Sequence, residues 1–238
     1  MLPAMSSAEG SGKVDRVYRM VKADIEEGRF VSGQSLSEMM LGERTGASRT
    51  PVREAIRRLA AEGLVDLAPR RAPSVARISL RSVRALFDFR RMLEPAAVRQ
   101  LAARTRDLPE ISGVFGPLRA GFEALAADRE AVDFADRFRF ATADFDSELV
   151  RLTPNEYLAR AIADLRPQSA RLRAIAHEDQ PRLGQSLAEH AEMCAAIVEG
   201  DGDRAAAGCA THLFHVEQAV LRSLLGEGPS RVTSDVMI

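Results

Sequence analysis

From Leu80 onward the apolar residues recur at helical spacing almost without interruption, a pattern that is typical of packed α-helices. The pattern breaks at clusters of residues that end helices or form turns, namely Asp107-Leu108-Pro109, Gly116-Pro117, Asp128, Thr153-Pro154, Asp179-Gln180-Pro181 and Gly200-Asp201-Gly202. These breaks divide the segment into about six or seven helices of ordinary length. The sequence therefore predicts an all-α helical bundle over residues 79–226.

The residues before this bundle follow a different pattern, with three short helices and then two short strands. The predicted elements are helices over residues 14–25, 36–45 and 48–62 and strands over residues 64–67 and 75–78. Gly28, Gly46 and Gly63 end the three helices, and Ser48 is a favourable N-cap for the third. This order predicts a winged helix-turn-helix domain with a small β wing over residues 13–78, so we expect a mainly α protein.

The composition agrees with two packed domains. The chain has 238 residues, of which 46% are hydrophobic, enough for a small domain and a larger one. We predict flexible tails over residues 1–12 and 227–238. Two cysteines cannot build a disulfide scaffold, and the sequence has neither an apolar run of about 18 residues nor a secretion signal. We therefore expect a cytoplasmic protein that does not bind membranes.

Basic residues outnumber acidic ones only in the N-terminal part of the chain, and two of these basic residues lie at the start of the third helix. Residues 1–78 carry 13 Lys and Arg against 10 Asp and Glu, whereas the remainder carries 20 against 24. Arg49 and Arg53 are four residues apart, so both project from one face at the start of the third helix. A helix that enters the major groove reads bases with its N-terminal residues, and an arginine can donate two hydrogen bonds to guanine. An ordinary solvated arginine face is the alternative interpretation.

Several strings in this region closely resemble the winged helix-turn-helix of GntR-type transcriptional regulators. They are Leu36-Ser37-Glu38, Ser48-Arg49-Thr50-Pro51-Val52-Arg53-Glu54-Ala55, Leu59 and Glu62-Gly63-Leu64-Val65. The resemblance implies DNA binding, with Arg49, Thr50 and Arg53 directed to operator bases. It directs Ser48 to the DNA backbone.

The chain departs from that family pattern at two positions. Met39 stands where family members often carry Arg, and Ala72 stands where Gly is frequent at the tip of the wing. Either change would alter the preferred operator without removing DNA binding. Because one short recognition helix reads only a few base pairs, we predict a homodimer that binds an inverted repeat.

Residues 80–225 resemble the helical effector domain, of the FCD type, in the FadR branch of the same family. The matching strings are Phe89-Arg90-Arg91-Met92-Leu93-Glu94-Pro95, the segment from Phe145 to Asn155, Glu189-His190 and His212-Leu213. In the family this domain dimerises and often holds a divalent metal with one Asp and three His residues. Here the Asp position corresponds to Thr142, and the first His position corresponds to Asp146.

A reduced set of metal ligands remains in this sequence. His190 and His212 lie on two helices joined by the turn at residues 200–202, and an antiparallel hairpin places them level with each other. Together with Asp146 they can converge on Zn, Ni or Mn, with the Thr142 hydroxyl or water as a fourth ligand. One alternative is that both histidines are buried and hydrogen-bonded to Asp146 without a metal. A second alternative is a zinc site formed by His190, Cys194, Cys209 and His212.

The resemblance also implies an effector residue. Arg90 stands where family members present a guanidinium to an acidic effector. A guanidinium binds a carboxylate with two parallel hydrogen bonds, so we predict a small carboxylate effector bound by Arg90 and, if present, the metal. A salt bridge from Arg90 to Glu94, four residues further on, is the alternative.

Enzymatic function is not expected. The sequence contains no Walker loop, no dinucleotide-binding glycine motif and no Gly-x-Ser-x-Gly elbow. The prediction is a sequence-specific DNA-binding transcriptional regulator, a repressor, that senses a small carboxylate metabolite. The alternative is a DNA-binding regulator whose helical domain only dimerises and binds no metal.

Overall fold

The computed structural model describes residues 6–176 and 180–226, and within them the chain forms nine α-helices and one two-stranded sheet. The helices are α1 (Ser6–Glu26), α2 (Glu38–Thr45), α3 (Arg49–Ala61), α4 (Leu80–Arg104), α5 (Pro109–Ala127), α6 (Phe134–Leu152), α7 (Glu156–Ala176), α8 (Gln180–Glu199) and α9 (Gly202–Leu224). The strands are β1 (Val65–Asp66) and β2 (Ser74–Val75). This order of elements confirms the predicted fold class, a winged helix-turn-helix followed by a helical bundle.

The described residues form two compact units. Unit 1 contains residues 6–79 and the segment Arg166–Ala174 of α7, and unit 2 contains Leu80–Leu165 and the described residues from 175 to 226. The middle of α7 therefore groups with unit 1, although the sequence analysis placed all of residues 79–226 in one domain.

The N-terminal helix is longer than expected. Because α1 begins at Ser6, residues 6–12 are helical, whereas the sequence analysis assigned them to a flexible tail. Extending an existing helix adds one hydrogen bond per residue even where no apolar stripe marks it in the sequence. The other residues predicted to be tails, 1–5 and 227–238, lie outside the described residues.

Unit 1 has a single apolar core between α1 and α3, closed by α2 and the wing. Its fully buried residues include Val17, Val21, Leu36, Leu41, Val52, Leu59, Leu64 and Val75. Ser37 caps α2 by accepting a hydrogen bond from the backbone N–H of Met40. Gly46 ends α2 with φ at +66°, a left-handed conformation that suits glycine. This turn leads directly into α3.

The wing is shorter than the sequence pattern suggested. Val65 pairs with Val75 in an antiparallel register, and the backbone N–H of Ala76 donates to the carbonyl of Leu64. Gly63, which precedes β1, has φ at +71°, a left-handed conformation that suits glycine in the turn between α3 and β1. The second strand was expected over residues 75–78, but β2 starts one residue earlier and ends at Val75.

Unit 2 is built from pairs of long helices. α4 packs along α9, α5 packs along α8, α8 lies beside α9, and α6 contacts α5. Its largest fully buried side chains include Phe87, Phe115, Phe122 and Phe138. Where α9 begins, a Cβ on Gly202 would lie 3.1 Å from the carbonyl oxygen of Arg99, so glycine permits this close approach to α4.

The predicted break at Gly116-Pro117 is wrong, because α5 continues through it from Pro109 to Ala127. A proline inside a helix costs about 3 kcal/mol, which is why the sequence indicated a break. Pro117 is exposed, whereas Phe115 and Phe122 on the same helix are fully buried. The apolar packing of α5 therefore outweighs the backbone hydrogen bond that the proline removes.

Candidate DNA interface and effector site

The predicted DNA-reading residues lie together at the start of α3. Ser48 is the N-cap residue, with φ at −73° and ψ at 170°, and its side chain makes no capping hydrogen bond. Ser48, Arg49 and Thr50 are exposed, whereas Val52 and Ile56 are buried in the core of unit 1. α3 therefore presents a polar N-terminal face to solvent while its opposite face is anchored by packing.

Arg53, one turn beyond Arg49, is exposed and bound to α2. Its Nε donates to Oε1 of Glu38 over 2.6 Å. The hydrogen bond from Arg53 outweighs burial and, with the charges of Arg53 and Arg49, lowers the pKa of Glu38. Glu38 is therefore ionised at neutral pH and faces both arginines. The sequence indicates Glu38 only as part of a motif, because no helical periodicity links residues 38 and 53.

Other arginines of unit 1 differ in whether their guanidinium contacts another side chain. Arg58 packs its guanidinium over the ring of Tyr18, 3.8 Å from the ring centroid, whereas Arg57 is exposed. At the tip of the wing, Arg70 adopts φ at +63°, and both Arg70 and Arg71 are exposed. Exposed positive charge therefore lies on the wing as well as on α3, as a polyanion partner requires.

Arg90 is buried on α4, with its guanidinium bound to a carboxylate of the same helix. Its Nε donates to Oε1 of Glu94 over 2.7 Å, and its Nη2 donates to Oε2 over 3.2 Å. Burial disfavours the charged guanidinium, but the nearby carboxylates of Glu94 and Asp146 outweigh burial and raise the pKa of Arg90. The alternative salt bridge to Glu94 is thus present, and an effector carboxylate at Arg90 would compete with it.

A second buried charged group joins α8 to α9, and its central pair, Arg182 and Glu189, was not predicted from the sequence. Arg182 is 4% exposed, and its Nη2 donates to Oε2 of Glu189 over 2.7 Å. The same carboxylate binds Nδ1 of His212 over 2.7 Å and Nδ1 of His215 over 2.6 Å. The ring centroids of His190 and His212 are 4.4 Å apart. We call these five residues the α8–α9 cluster.

The electrostatics of the α8–α9 cluster centre on Glu189. Burial raises the pKa of this carboxyl, but the hydrogen bonds from His212 and His215 and the charge of Arg182 outweigh burial and lower the pKa to about 2. Burial also lowers the pKa of His212, and Glu189 offsets this only in part. At neutral pH a neutral His212 therefore donates Nδ1–H to an ionised Glu189.

Two of the three predicted metal ligands are close together, as the hairpin argument indicated. Nδ1 of His190 is 2.7 Å from the carbonyl oxygen of Ser186, and Nδ1 of His212 is 2.7 Å from Glu189. Histidines that bind metals through Nε2 commonly have Nδ1 held by an acceptor in this way. The two imidazoles alone, however, supply half of a tetrahedral ligand set.

The remaining predicted ligands do not complete that set. Asp146 is half-buried, and its charge acts on Arg90, while the hydroxyl of Thr142 donates to the carbonyl oxygen of Phe138 over 3.1 Å. Nη2 of Arg182 lies 3.3 Å from Nδ1 of His212, and a fixed positive charge beside a ligand disfavours a cation. Over residues 6–176 and 180–226, no three His, Cys, Asp or Glu side chains form a metal-binding group. Without a further ligand the two imidazoles do not by themselves hold a divalent metal, and a metal bound together with Asp146 stays a prediction.

The alternative zinc site with cysteine ligands also lacks support. Cys194 and Cys209 are both free and buried. Burial raises the pKa of the Cys194 thiol to about 12 and that of the Cys209 thiol well above its ordinary value. The thiolate is the form that binds metals, so these protonated thiols behave as small apolar residues.

A winged helix-turn-helix with an exposed arginine-bearing recognition helix, followed by a helical bundle, defines the class of DNA-binding transcriptional regulators. Two protein-family models match the chain accordingly. The model for the FCD domain matches residues 85–215, more than half of the chain, and the model described as bacterial regulatory proteins, gntR family, matches residues 13–75. The chain therefore belongs to the GntR family of regulators with an FCD domain, and the resemblance seen in the sequence is confirmed.

Individual relatives agree with this assignment. The HTH-type transcriptional repressor RspR of Escherichia coli K12 is 26% identical over 205 residues, which cover 86% of this chain and 87% of the relative. The galactonate operon transcriptional repressor of Escherichia coli K12 is 29% identical over 215 residues, covering 81% and 90%. A crystal structure of a GntR-type regulator from Rhodococcus sp. RHA1 shares the fold, with a TM-score of 0.69, 23% identity, and coverage of 88% of this chain and 98% of that one.

The family decides the general function. Its members are non-enzymatic DNA-binding regulators, so the chain is a DNA-binding transcriptional regulator and not an enzyme. Among the helices that the structure describes, none is long and apolar enough to cross a membrane.

Proposed function

We propose that this regulator is a repressor that binds an inverted-repeat operator as a homodimer in the cytoplasm and responds to a small carboxylate. The observation that carries the proposal is the start of α3, where Ser48, Arg49 and Thr50 are exposed on a helix anchored by buried residues. The name of the relative RspR supports repression. The test is run-off transcription from a promoter that carries an operator selected with the purified protein from random DNA. Adding the protein should lower the transcript yield, and an unchanged or higher yield would contradict repression.

An apolar stripe on the outer face of α4 supports the homodimer. Phe89 is 44% exposed and Met92 is 72% exposed. With Ala85 and Ala96 they recur at spacings of four, three and four residues, the repeat along which two helices pack. Exposed apolar patches of this kind mark surfaces that another protein chain covers. We assign this stripe to the contact with a second copy of the chain.

The double substitution Phe89→Asp, Met92→Glu should convert the dimer to a monomer. Charged residues placed in the stripe would have to lose their hydration for the two helices to pack. Light scattering at micromolar concentration should give the dimer mass for the wild type and the monomer mass for the variant. The control Phe140→Asp changes an exposed aromatic residue of α6 and should stay dimeric. A wild type that is monomeric both free and on operator DNA would contradict the homodimer.

The effector proposal rests on the buried charges of unit 2. The Arg90–Glu94 pair and the Arg182–Glu189 pair lie in a bundle whose other buried residues are mainly apolar. The positive charges of both arginines contribute to the lowered pKa of His212, so all three groups share one electrostatic environment. An anion that enters it loses its water and needs fixed cationic partners. The relative named for galactonate, a sugar-acid anion, favours a hydroxy-carboxylate.

A screen of small sugar acids and dicarboxylates should identify a ligand that raises the melting temperature of the wild type. At a hundredfold excess over the dissociation constant we expect an increase of roughly 5–10 °C. Arg90→Gln should abolish the increase, and the control Arg99→Gln, which removes an exposed guanidinium from the same helix, should retain it.

The screen also separates the possible roles of a metal. If the ligand still raises the melting temperature in the presence of a chelator, arginines bind the carboxylate directly. An increase that requires Zn, Ni or Mn, and is lost in a His190→Ala, His212→Ala variant, would support the predicted site with Asp146. If no carboxylate acts in either condition, the effector proposal fails and the alternative of a helical domain that only dimerises is correct.

A further inference from the structure

The ion pair between α2 and α3 occupies one particular nitrogen of Arg53. Glu38 accepts from Nε of Arg53 over 2.6 Å, and among the described residues Nη1 and Nη2 have no hydrogen-bond partner. The Arg53 side chain is 58% exposed and that of Glu38 is 29% exposed, so the pair lies at the surface of unit 1. The two terminal nitrogens therefore remain available to a ligand that approaches α3.

The backbone of Glu38 is held at the start of α2, whereas an unpaired arginine side chain can adopt many rotamers. Glu38 is the first residue of α2, directly after the capping residue Ser37, and the partial positive charge of a helix N-terminus stabilises a carboxylate there. Leu36 and Leu41 on either side are fully buried. A free arginine samples many rotamers, and it must lose that freedom when it binds a base.

We propose that Glu38 is a positioning residue for base recognition, which fixes the plane of the Arg53 guanidinium so that Nη1 and Nη2 address one guanine. With Nε occupied, the paired donors left to Arg53 are Nη1 and Nη2, which match the O6 and N7 acceptors of guanine in the major groove. This inference rests on the proposed function, because it takes Arg53 to read an operator base. The ligand chemistry is a guanine edge held in the major groove.

The competing explanation is that Glu38 weakens DNA binding, which would change the affinity in the opposite direction. A carboxylate that merely neutralises Arg53 would weaken DNA binding by repelling phosphates, so removing it would tighten binding to every duplex. A positioning carboxylate makes binding selective at one base pair. The control is Glu43→Gln, since Glu43 is an exposed residue of α2 and the substitution removes the same charge.

The test measures affinity by fluorescence anisotropy for the selected operator and for duplexes with single base-pair substitutions. Glu38→Gln should lower discrimination about tenfold at the one base pair per half-site where Arg53→Ala also loses it. The Glu38→Gln, Arg53→Ala double variant should match Arg53→Ala alone, because the two residues act as a unit. Glu43→Gln should retain the wild-type profile, and circular dichroism should show that every variant is folded at the assay temperature.

The outcomes separate this inference from the function on which it rests. If Glu38→Gln tightens binding to all duplexes, or weakens binding to all of them equally, Glu38 does not position Arg53 and the inference is wrong. If Arg53→Ala leaves the discrimination profile intact, Arg53 does not read a base. That result would overturn the base-reading role as well.

Discussion

Replacing Arg49 or Arg53 with alanine is expected to weaken binding to the cognate operator by about 1–3 kcal/mol, with discrimination lost at one base pair of each half-site. Both residues are exposed on the N-terminal face of α3, the part of a recognition helix that reaches base edges. Fluorescence anisotropy on the operator, its single-substitution variants and a scrambled duplex measures the effect.

The control for this prediction removes an exposed arginine elsewhere in unit 1. Arg19 on α1 is exposed, and its Nε donates to the carbonyl oxygen of Asp15 in the same helix. Arg19→Ala should leave base discrimination unchanged. Equal losses on operator and scrambled duplexes for the Arg49 and Arg53 variants would mean that these residues contact phosphates instead of bases.

Replacing Glu189 with leucine is expected to lower the free energy of unfolding by about 3–5 kcal/mol, because it removes one partner of a buried ion pair with Arg182. The side chain of Arg182 is 3% exposed and that of Glu189 is 12% exposed. The substitution also removes the acceptor of His212 and His215. Urea denaturation followed by circular dichroism measures the loss.

Two further variants test the physical reason for that loss. The double substitution Arg182→Met, Glu189→Leu should recover much of the stability, since it removes both charges together. Glu192→Leu, on the exposed side of α8, breaks a surface pair with Arg204 and should cost about 1 kcal/mol or less. A Glu189→Leu variant as stable as the Glu192→Leu control would show that the α8–α9 cluster does not stabilise the bundle.

The buried pair of Arg182 and Glu189 also predicts that the stability of the protein depends on pH. The folded-state pKa of Glu189, about 2, is below its ordinary value of about 4.3, so the unfolded chain takes up the proton first as the pH falls. The stabilisation is complete above about pH 5 and is lost toward pH 2. The lowered pKa of His212 acts in the same direction below about pH 6.5. The double variant should lose less stability than the wild type between pH 6 and pH 3.

Local features carried the prediction of the DNA-binding half of the molecule. The N-cap at Ser48, the apolar spacing of α3 and the glycine before it all act within one or two helical turns, so the sequence indicates them directly. The Glu38–Arg53 pair joins residues 15 apart across a turn. Its existence depends on the angle between α2 and α3, which periodicity does not determine.

In the helical domain, the sequence predicted which residues lie close together better than it predicted which of them interact. His190 lies beside His212 as predicted, because an antiparallel pair of helices joined by a short turn fixes which residues are level with each other. Arg182 was missed, although it lies seven residues, or two helical turns, before its partner Glu189. The break expected at Gly116-Pro117 failed for a different reason, since packing of buried phenylalanines outweighs a local helix-breaking signal.

Selection of bound duplexes from a random DNA library tests the central claim most directly. The purified chain should enrich an inverted repeat whose two half-sites are about one helical turn apart and contain guanines, and an Arg49→Ala, Arg53→Ala double variant should enrich none. The account predicts that the selected operator binds with at least about a thousandfold preference over unrelated DNA. Enrichment of no sequence by the wild type, or of the same sequence by the double variant, would contradict it.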